Sequence, residues 1–189
     1  MLSLKRAFFN KRIPKNKFKF DTSSIDTITW LYKISSDTTD IVASNDIIEL
    51  QVFEVIFKGS IDTSVVRHIQ KYVKYDILFI LRDKNTKKYA IMVNGNVLHT
   101  ENNLIVNDSI DTNAMSLSSL VEYLVEQMLV EERKENESIE QLVDRVQALE
   151  KIDREIQSLR KKIEQEKQPK KKLEYNERLR EAMRFRSSL

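Results

Sequence analysis

At 189 residues, with 41% apolar and 32% charged positions, the chain has room for one hydrophobic core of ordinary size plus an elongated, solvated appendage, but not for two full domains. It has no cysteine, which excludes a disulfide framework, a thiolate metal site and a cysteine nucleophile; its two glycines, Gly59 and Gly95, are too few for a Walker-type or dinucleotide-type phosphate loop or a Gly-x-Ser-x-Gly elbow. The net charge of +3 conceals segregation: residues 1–19 hold seven bases and no acid, residues 150–189 thirteen bases against eight acids, and residues 20–149 the remaining twelve bases and twenty-one acids. Two basic ends around an acidic middle either meet an anionic partner or fold back onto that middle.

Residues 8–20, FFNKRIPKNKFKF, combine five bases and four phenylalanines with no acid. They are expected as part of a basic N-terminal arm, residues 1–20, in which Phe8, Phe9, Ile13, Phe18 and Phe20 pin the arm to the core. Its bases, Lys11, Arg12, Lys15 and Lys17 among them, then face nucleic acid or the acidic middle. From Thr27, TITWLYKIS fits a strand or the last turns of a short helix, and helix is the reading adopted. DIIELQVFEVIFKG is a strand by its β-branched and aromatic density and its Gly59 stop. Ile48, Leu50, Val52 and Ile56 share one face and Phe53, Val55 and Phe57 the other, so it is buried on both sides.

Asp62 or Thr63 then caps a short amphipathic helix carrying Val65, Val66, Ile69 and Val73. YDILFILR and KYAIMVN read as a hairpin across DKNTKK, and NGN turns the chain into a third short strand, VLHT. After the polar stretch 107–116, Leu117, Leu120, Val121, Leu124 and Met128 form the stripe of a serine-capped helix that covers the sheet. From Ile139 the apolar residues 139, 142, 146, 149, 152, 156, 159 and 163 alternate steps of three and four, as a coiled-coil seam requires, with a stammer at Leu149 and Ile152. Pro169 breaks that helix, which is roughly 40 Å long at 1.5 Å per residue. A last helix with Leu173, Leu179, Ala182 and Met183 as its apolar positions returns along it; the alternative is a parallel homodimer.

The pattern predicts an α+β protein: a small, mainly antiparallel mixed sheet with covering helices in residues 21–130, followed by an antiparallel helical hairpin in residues 131–189. Apolar runs such as YDILFIL fall far short of the ~20 residues of a membrane-spanning helix, and no secretory signal is legible at the N-terminus, so a soluble, cytoplasmic protein with no membrane partner is expected.

Three stretches occur in a telling order: NKRIPKNKF; ITWLYKIS with IELQVFEVIFK and YDILFILR; and IEQEKQPKKKLEYNERLREAMR. Together they make the chain resemble, over nearly its whole length, an uncharacterised bacterial domain family of unknown function. The resemblance implies genes lying beside a DEAD-box-like helicase and a DNA methyltransferase in restriction-like or phage-defence clusters, hence nucleic-acid metabolism by association. Fold or family likeness does not by itself assign chemistry. The chain departs from the family pattern at Pro169, where an aromatic residue is expected after Gln168, which puts the connection between the terminal helices in question.

Candidate sites divide into two sets. Asp46, Glu49, Gln51, Glu54 and Lys58 form a degenerate nuclease constellation, in which acids hold Mg²⁺ and Lys58 or Gln51 orients water. The acid-x-lysine triplet is missing, however, and an ion-paired structural role is the competing explanation. His68 and His99 lack a second ligand at helical or hairpin spacing and read as ordinary surface residues. The basic ends are the stronger signal. Lys167, Lys170, Lys171 and Lys172 lie at the bend between the terminal helices, where a projecting tip meets phosphate or a partner protein. The expected function is a non-catalytic accessory or adaptor subunit without cofactor, docking on a helicase or methyltransferase and touching DNA or RNA. The alternative is a divergent Mg²⁺-dependent nuclease.

Overall fold

The computed structural model describes residues 1–44 and 46–189, and these form two units, Met1–Glu132 and Arg133–Leu189. Among the described residues the elements of the first unit are β1 (Leu2–Ser3), β2 (Phe8–Arg12), β3 (Ile25–Ile34), β4 (Leu50–Phe57), α1 (Ser64–Gln70), β5 (Asp76–Arg82), β6 (Lys87–Val93), β7 (Asn96–Thr100), β8 (Ser109–Ile110) and α2 (Leu117–Glu126). The second unit holds α3 (Ile139–Gln165) and α4 (Pro169–Ser188).

Six strands make one sheet in the order β2-β3-β4-β5-β6-β7, and β1 pairs with β8 in a separate ribbon. Every neighbouring pair in the large sheet is antiparallel except β4 and β5, which run parallel because α1 carries the chain back between them. The protein is thus α+β with a mainly antiparallel mixed sheet. β4 lies inside this sheet, and its near-continuous apolar run reflects burial on both faces. On one face Phe53, Val55 and Phe57 pack with Ile28, Ile77, Phe79, Leu81 and Ala90 under Val65, Val66 and Ile69 of α1. Phe53 stands directly opposite Phe79, the rings edge to face at 6.2 Å. On the other face Leu50, Val52, Leu78, Ile80, Tyr89, Ile91 and Leu98 are buried. The Tyr32 hydroxyl donates to Asp108 at 2.6 Å and the Tyr89 hydroxyl to the Ile105 carbonyl at 3.1 Å, tying the segment before β8 to that face. Burial and the Asp108 carboxylate both push the Tyr32 hydroxyl well above the usual tyrosine range.

Residues 25–34, where a short helix was expected, are a strand. The Thr, Ile, Trp and Tyr content of this segment suits a pleated surface, and its backbone is engaged along β4 from Ile25–Phe57 to Ile34–Leu50. Residues 8–12, expected within a basic arm, are the edge strand β2 of the same sheet. The Asn94–Gly95 turn joins β6 to β7 with φ of 49° and 76°, both positive as the tight primed turn of a hairpin demands. Thr63 holds the N-cap position of α1 without a side-chain cap bond, the Asp62 carboxylate ahead of it accepting from the Ser64 N–H at 2.9 Å, and Ser116 caps α2 in a reciprocal box with Ser119. The expected α2 stripe, Leu117, Leu120, Val121, Leu124 and Met128, is buried throughout.

In the second unit α3 starts at a capping box of Ser138 and Gln141, and Pro169 opens α4 at its first turn, where a missing N–H costs nothing. The helices run antiparallel: Arg186 near the end of α4 pairs with Asp153 at 2.5 Å, while Lys162 further along α3 lies over Tyr175 near the start of α4. Ile152, Ile156, Leu159 and Ala182 form the seam, flanked by Tyr175 and Leu179. Leu173 and Met183, expected in that seam, are exposed at 63% and 46%. The α4 sequence has too few apolar residues at steps of three and four to hold both in one stripe. Ahead of α3, Arg145 holds Glu137 with two guanidinium bonds, Nε at 2.7 Å and Nη2 at 2.9 Å. These bonds and one from the Lys134 N–H pull the Glu137 carboxyl down to about 2. Among the described residues no helix is long and apolar enough to cross a membrane.

Two outcomes follow from this packing. Phe79→Ala removes a ring with no exposed surface and is expected to cost about 3–5 kcal/mol, whereas Phe8→Ala, at a half-exposed ring, costs below about 1 kcal/mol; urea unfolding of the two variants measures the difference. Because the folded pKa of Glu137 lies below its ordinary value of 4.5, its stabilisation is complete above that value and is lost as pH falls toward 2. The urea midpoint of the wild type should therefore drop more steeply between pH 5 and about pH 2 than that of Glu137→Gln.

Candidate nucleic-acid interface

Three register shifts lie in the pairings of β2 and β3, one of them between Ile25 and Thr27 on β3, and the other two shape the sheet edge where the basic strand lies. Between Phe8 and Lys11 the pairing of β2 with β3 slips, with Asn10 at φ 46°, a left-handed conformation that asparagine tolerates. Between Trp30 and Tyr32 the pairing of β3 with β4 slips as well. Strict alternation would send Trp30 and Tyr32 to the same side of the sheet. The bulge separates them: Trp30 packs against the α1-side core and Tyr32 bonds Asp108 from the opposite side.

Beyond β2, Ile13 donates its N–H to the Ile28 carbonyl at 2.8 Å and Pro14 leads into a 3-10 turn over Lys15–Lys17. Phe18 is buried, edge-on to Tyr72 at 5.4 Å, and Phe20 stacks on His68 at 5.0 Å. Ile13, Phe18 and Phe20 are therefore the residues that fix this segment to the α1-side core. Phe8 and Phe9 remain half exposed; Phe8 leans on Tyr32 and Phe9 stacks on Trp30 at 4.7 Å. Beside the Phe18–Tyr72 contact lies a cleft of about 420 Å³ whose lining includes Lys11, Arg12, Lys17, Phe18, Trp30 and Tyr72 and, among the described residues, no carboxylate.

The bases differ in how far the protein engages them. Lys15 donates to the Ile25 carbonyl at 2.9 Å and Arg6 pairs with Asp40 at 2.5 Å. Lys11, Arg12 and Lys17 are exposed, and their side chains have no hydrogen bond or ion pair among the described residues. The same holds at the α3–α4 bend for Lys167, Lys170, Lys171 and Lys172. Three of those four lie in the first turn of α4, where the helix dipole opposes positive charge, so they do nothing there for helix stability.

The acidic set does not converge. Glu49 takes a bond from Gln51 at 2.6 Å and pairs with Lys33 at 3.3 Å. Glu54 points to the opposite face with Val52 and Ile56, and pairs with Arg82 at 3.1 Å. Lys58 donates to the Ser23 carbonyl at 2.8 Å, and Asp46 is exposed. Glu49 and Gln51 are thus brought together, while Glu54 and Lys58 are directed elsewhere. Among the described residues no three His, Cys, Asp or Glu side chains are grouped so as to hold a metal ion. His99 is exposed on β7, apart from His68 on α1. Trp30 and Tyr72 belong to the cleft although no local motif marks them; strand pairing and the end of α1 bring them to Lys11 and Lys17.

Glu49 is nearly buried, its side chain 11% exposed, so its cation matters structurally. Lys33→Ala is expected to destabilise by about 1–3 kcal/mol, the cost of leaving a desolvated carboxylate short of a partner. Removing the solvent-exposed guanidinium of Arg6 should cost less than about 1 kcal/mol; thermal unfolding of the two variants compares these costs directly.

No curated protein and no solved structure matches the chain. A family model described as a domain of unknown function, DUF4391, matches residues 5–184. With both the sheet edge and the helical pair inside that span, the chain belongs to the DUF4391 family.

Proposed function

We propose that this protein is a non-catalytic accessory subunit of nucleic-acid-processing machinery of the helicase and methyltransferase, restriction or phage-defence type, working in the cytoplasm. The observation that carries the reading is the set of cations without an internal partner. Lys11, Arg12 and Lys17 in the first unit and Lys167, Lys170, Lys171 and Lys172 in the second are exposed, and their side chains have no partner among the described residues. Meanwhile Glu49, Glu54, Glu137 and Asp153 are each held by a lysine or arginine of the same chain. Exposed lysines that contact no carboxylate are available to phosphate, and their binding energy comes from counterion release. The implied gene neighbourhood supplies the machinery: a helicase or methyltransferase would carry the chemistry and this protein the added contact. The divergence of Glu49 and Glu54 to opposite faces favours this reading over Mg²⁺-dependent cleavage.

The test is fluorescence anisotropy with labelled DNA and RNA across a salt series. Binding should weaken linearly in log salt, and replacing Lys170, Lys171 and Lys172 by alanine should lower both affinity and slope, by about one slope unit per phosphate contact removed. A slope identical to wild type would exclude the bend as the contact. Incubation with Mg²⁺ should leave the strands intact; cleavage that disappears in Glu49→Ala or Glu54→Ala, without loss of thermal stability, would overturn the proposal.

A further inference from the structure

The geometry points to the β2–β3 cleft as a site for one unpaired nucleotide of a single strand, its base against the aromatic wall and its phosphates on Lys11, Arg12 and Lys17. The inference rests on the nucleic-acid reading above and adds to it which strand state is bound and where. The polar atoms of the aromatic wall are already engaged: the Trp30 indole N–H donates to the Tyr32 carbonyl at 2.8 Å, and the Tyr72 hydroxyl accepts from the Lys19 N–H at 2.7 Å. The cleft lining thus combines the aromatic residues Phe18, Trp30 and Tyr72 with three cations, Lys11, Arg12 and Lys17, that have no partner among the described residues, and no described carboxylate lines it. A ligand that satisfies both must be planar and anionic in adjoining parts, which describes a nucleotide and not an acidic peptide. At about 420 Å³ the cleft has the scale of a small-ligand pocket, large enough for a base and its sugar but too small for a base pair with its two backbones. In a duplex the base faces are covered by stacking, so only an unpaired base reaches this wall. Bulges in both β2 and β3 lie at this edge, consistent with their frequent role of re-aiming side chains at functional sites. Phe9, half exposed and stacked on Trp30, extends the aromatic surface beyond the cleft and favours a strand over a free nucleotide.

Trp30 is the only tryptophan, so the full chain reports on its own cleft. Its emission would be followed while adding a short oligothymidylate, a duplex of equal length, an abasic strand of equal length, thymidine 5′-monophosphate and poly-glutamate, with anisotropy read in parallel on labelled strands. The oligothymidylate is expected to quench Trp30. The abasic strand should bind at least about five-fold more weakly and leave emission unchanged. Lys11→Ala with Arg12→Ala, both at exposed positions, should shift the quenching titration to higher concentration without moving the melting temperature. Saturated anisotropy with unchanged Trp30 emission would overturn the cleft assignment while leaving nucleic-acid binding in place; no binding by either signal would overturn both. Equal quenching by the duplex, by poly-glutamate, or by the mononucleotide at the same concentration as the strand would overturn the single-strand assignment.

Discussion

The double-sided burial of β4 is the constraint on which the rest of the first unit depends. Because β4 is flanked by β3 and β5, its backbone is paired on both edges, and its side chains must find apolar cover above and below. Phe53 and Phe79, in register across the parallel pair, meet edge to face in the α1-side core, and α1 lies where it does because it returns the chain to start β5 while covering that core. The basic edge strand is added to β3, whose position β4 sets in turn. The cleft at that edge is therefore a consequence of core packing three strands deep.

Charge is sorted by the same fold. Two nearly buried acids of the acidic middle segment are held by bases: Glu49 by Lys33 and Glu54 by Arg82. In the second unit Glu137 is gripped by Arg145 and Asp153 by Arg186, and the Arg186 guanidinium holds the Asp153 carboxyl below its ordinary range. Partly desolvated carboxylates gain most from such pairing, whereas lysines on long flexible stems at an edge or bend lose little by staying in water. The sorting leaves an excess of mobile positive charge at the β2 edge and at the α3–α4 bend, two places where nothing in the chain's own packing requires it.

The bulges show how little displacement is needed to build a binding surface. One extra residue in β3 between Trp30 and Tyr32 gives the two aromatics opposite duties: Tyr32 secures the segment around Asp108, while Trp30 contributes to the cleft and takes Phe9 on its ring. A regular strand would have aimed both at one face, so that either Tyr32 lost Asp108 or the cleft lost Trp30.

The chain's own residues were enough to determine the class of the fold, the two-sided β4, the β5–β6–β7 meander, the Asn94–Gly95 turn, the capped helices and an antiparallel terminal pair broken at Pro169. Each depends on local periodicity, turn chemistry or capping, which neighbours in sequence decide. The seven bases of residues 1–19 and the lysines of the bend were equally plain as composition. Only the tertiary structure decided that residues 25–34 are strand, since β-branched and aromatic residues at such spacing satisfy either period until a partner strand engages the backbone. It alone gave Glu49 and Glu54 their cations, Lys33 and Arg82, and joined Trp30 and Tyr72 to Lys11 and Lys17. Side-chain direction along a bulged strand and contacts between distant segments are properties of pairing register, and register is set by what packs across the sheet, which no local stretch contains.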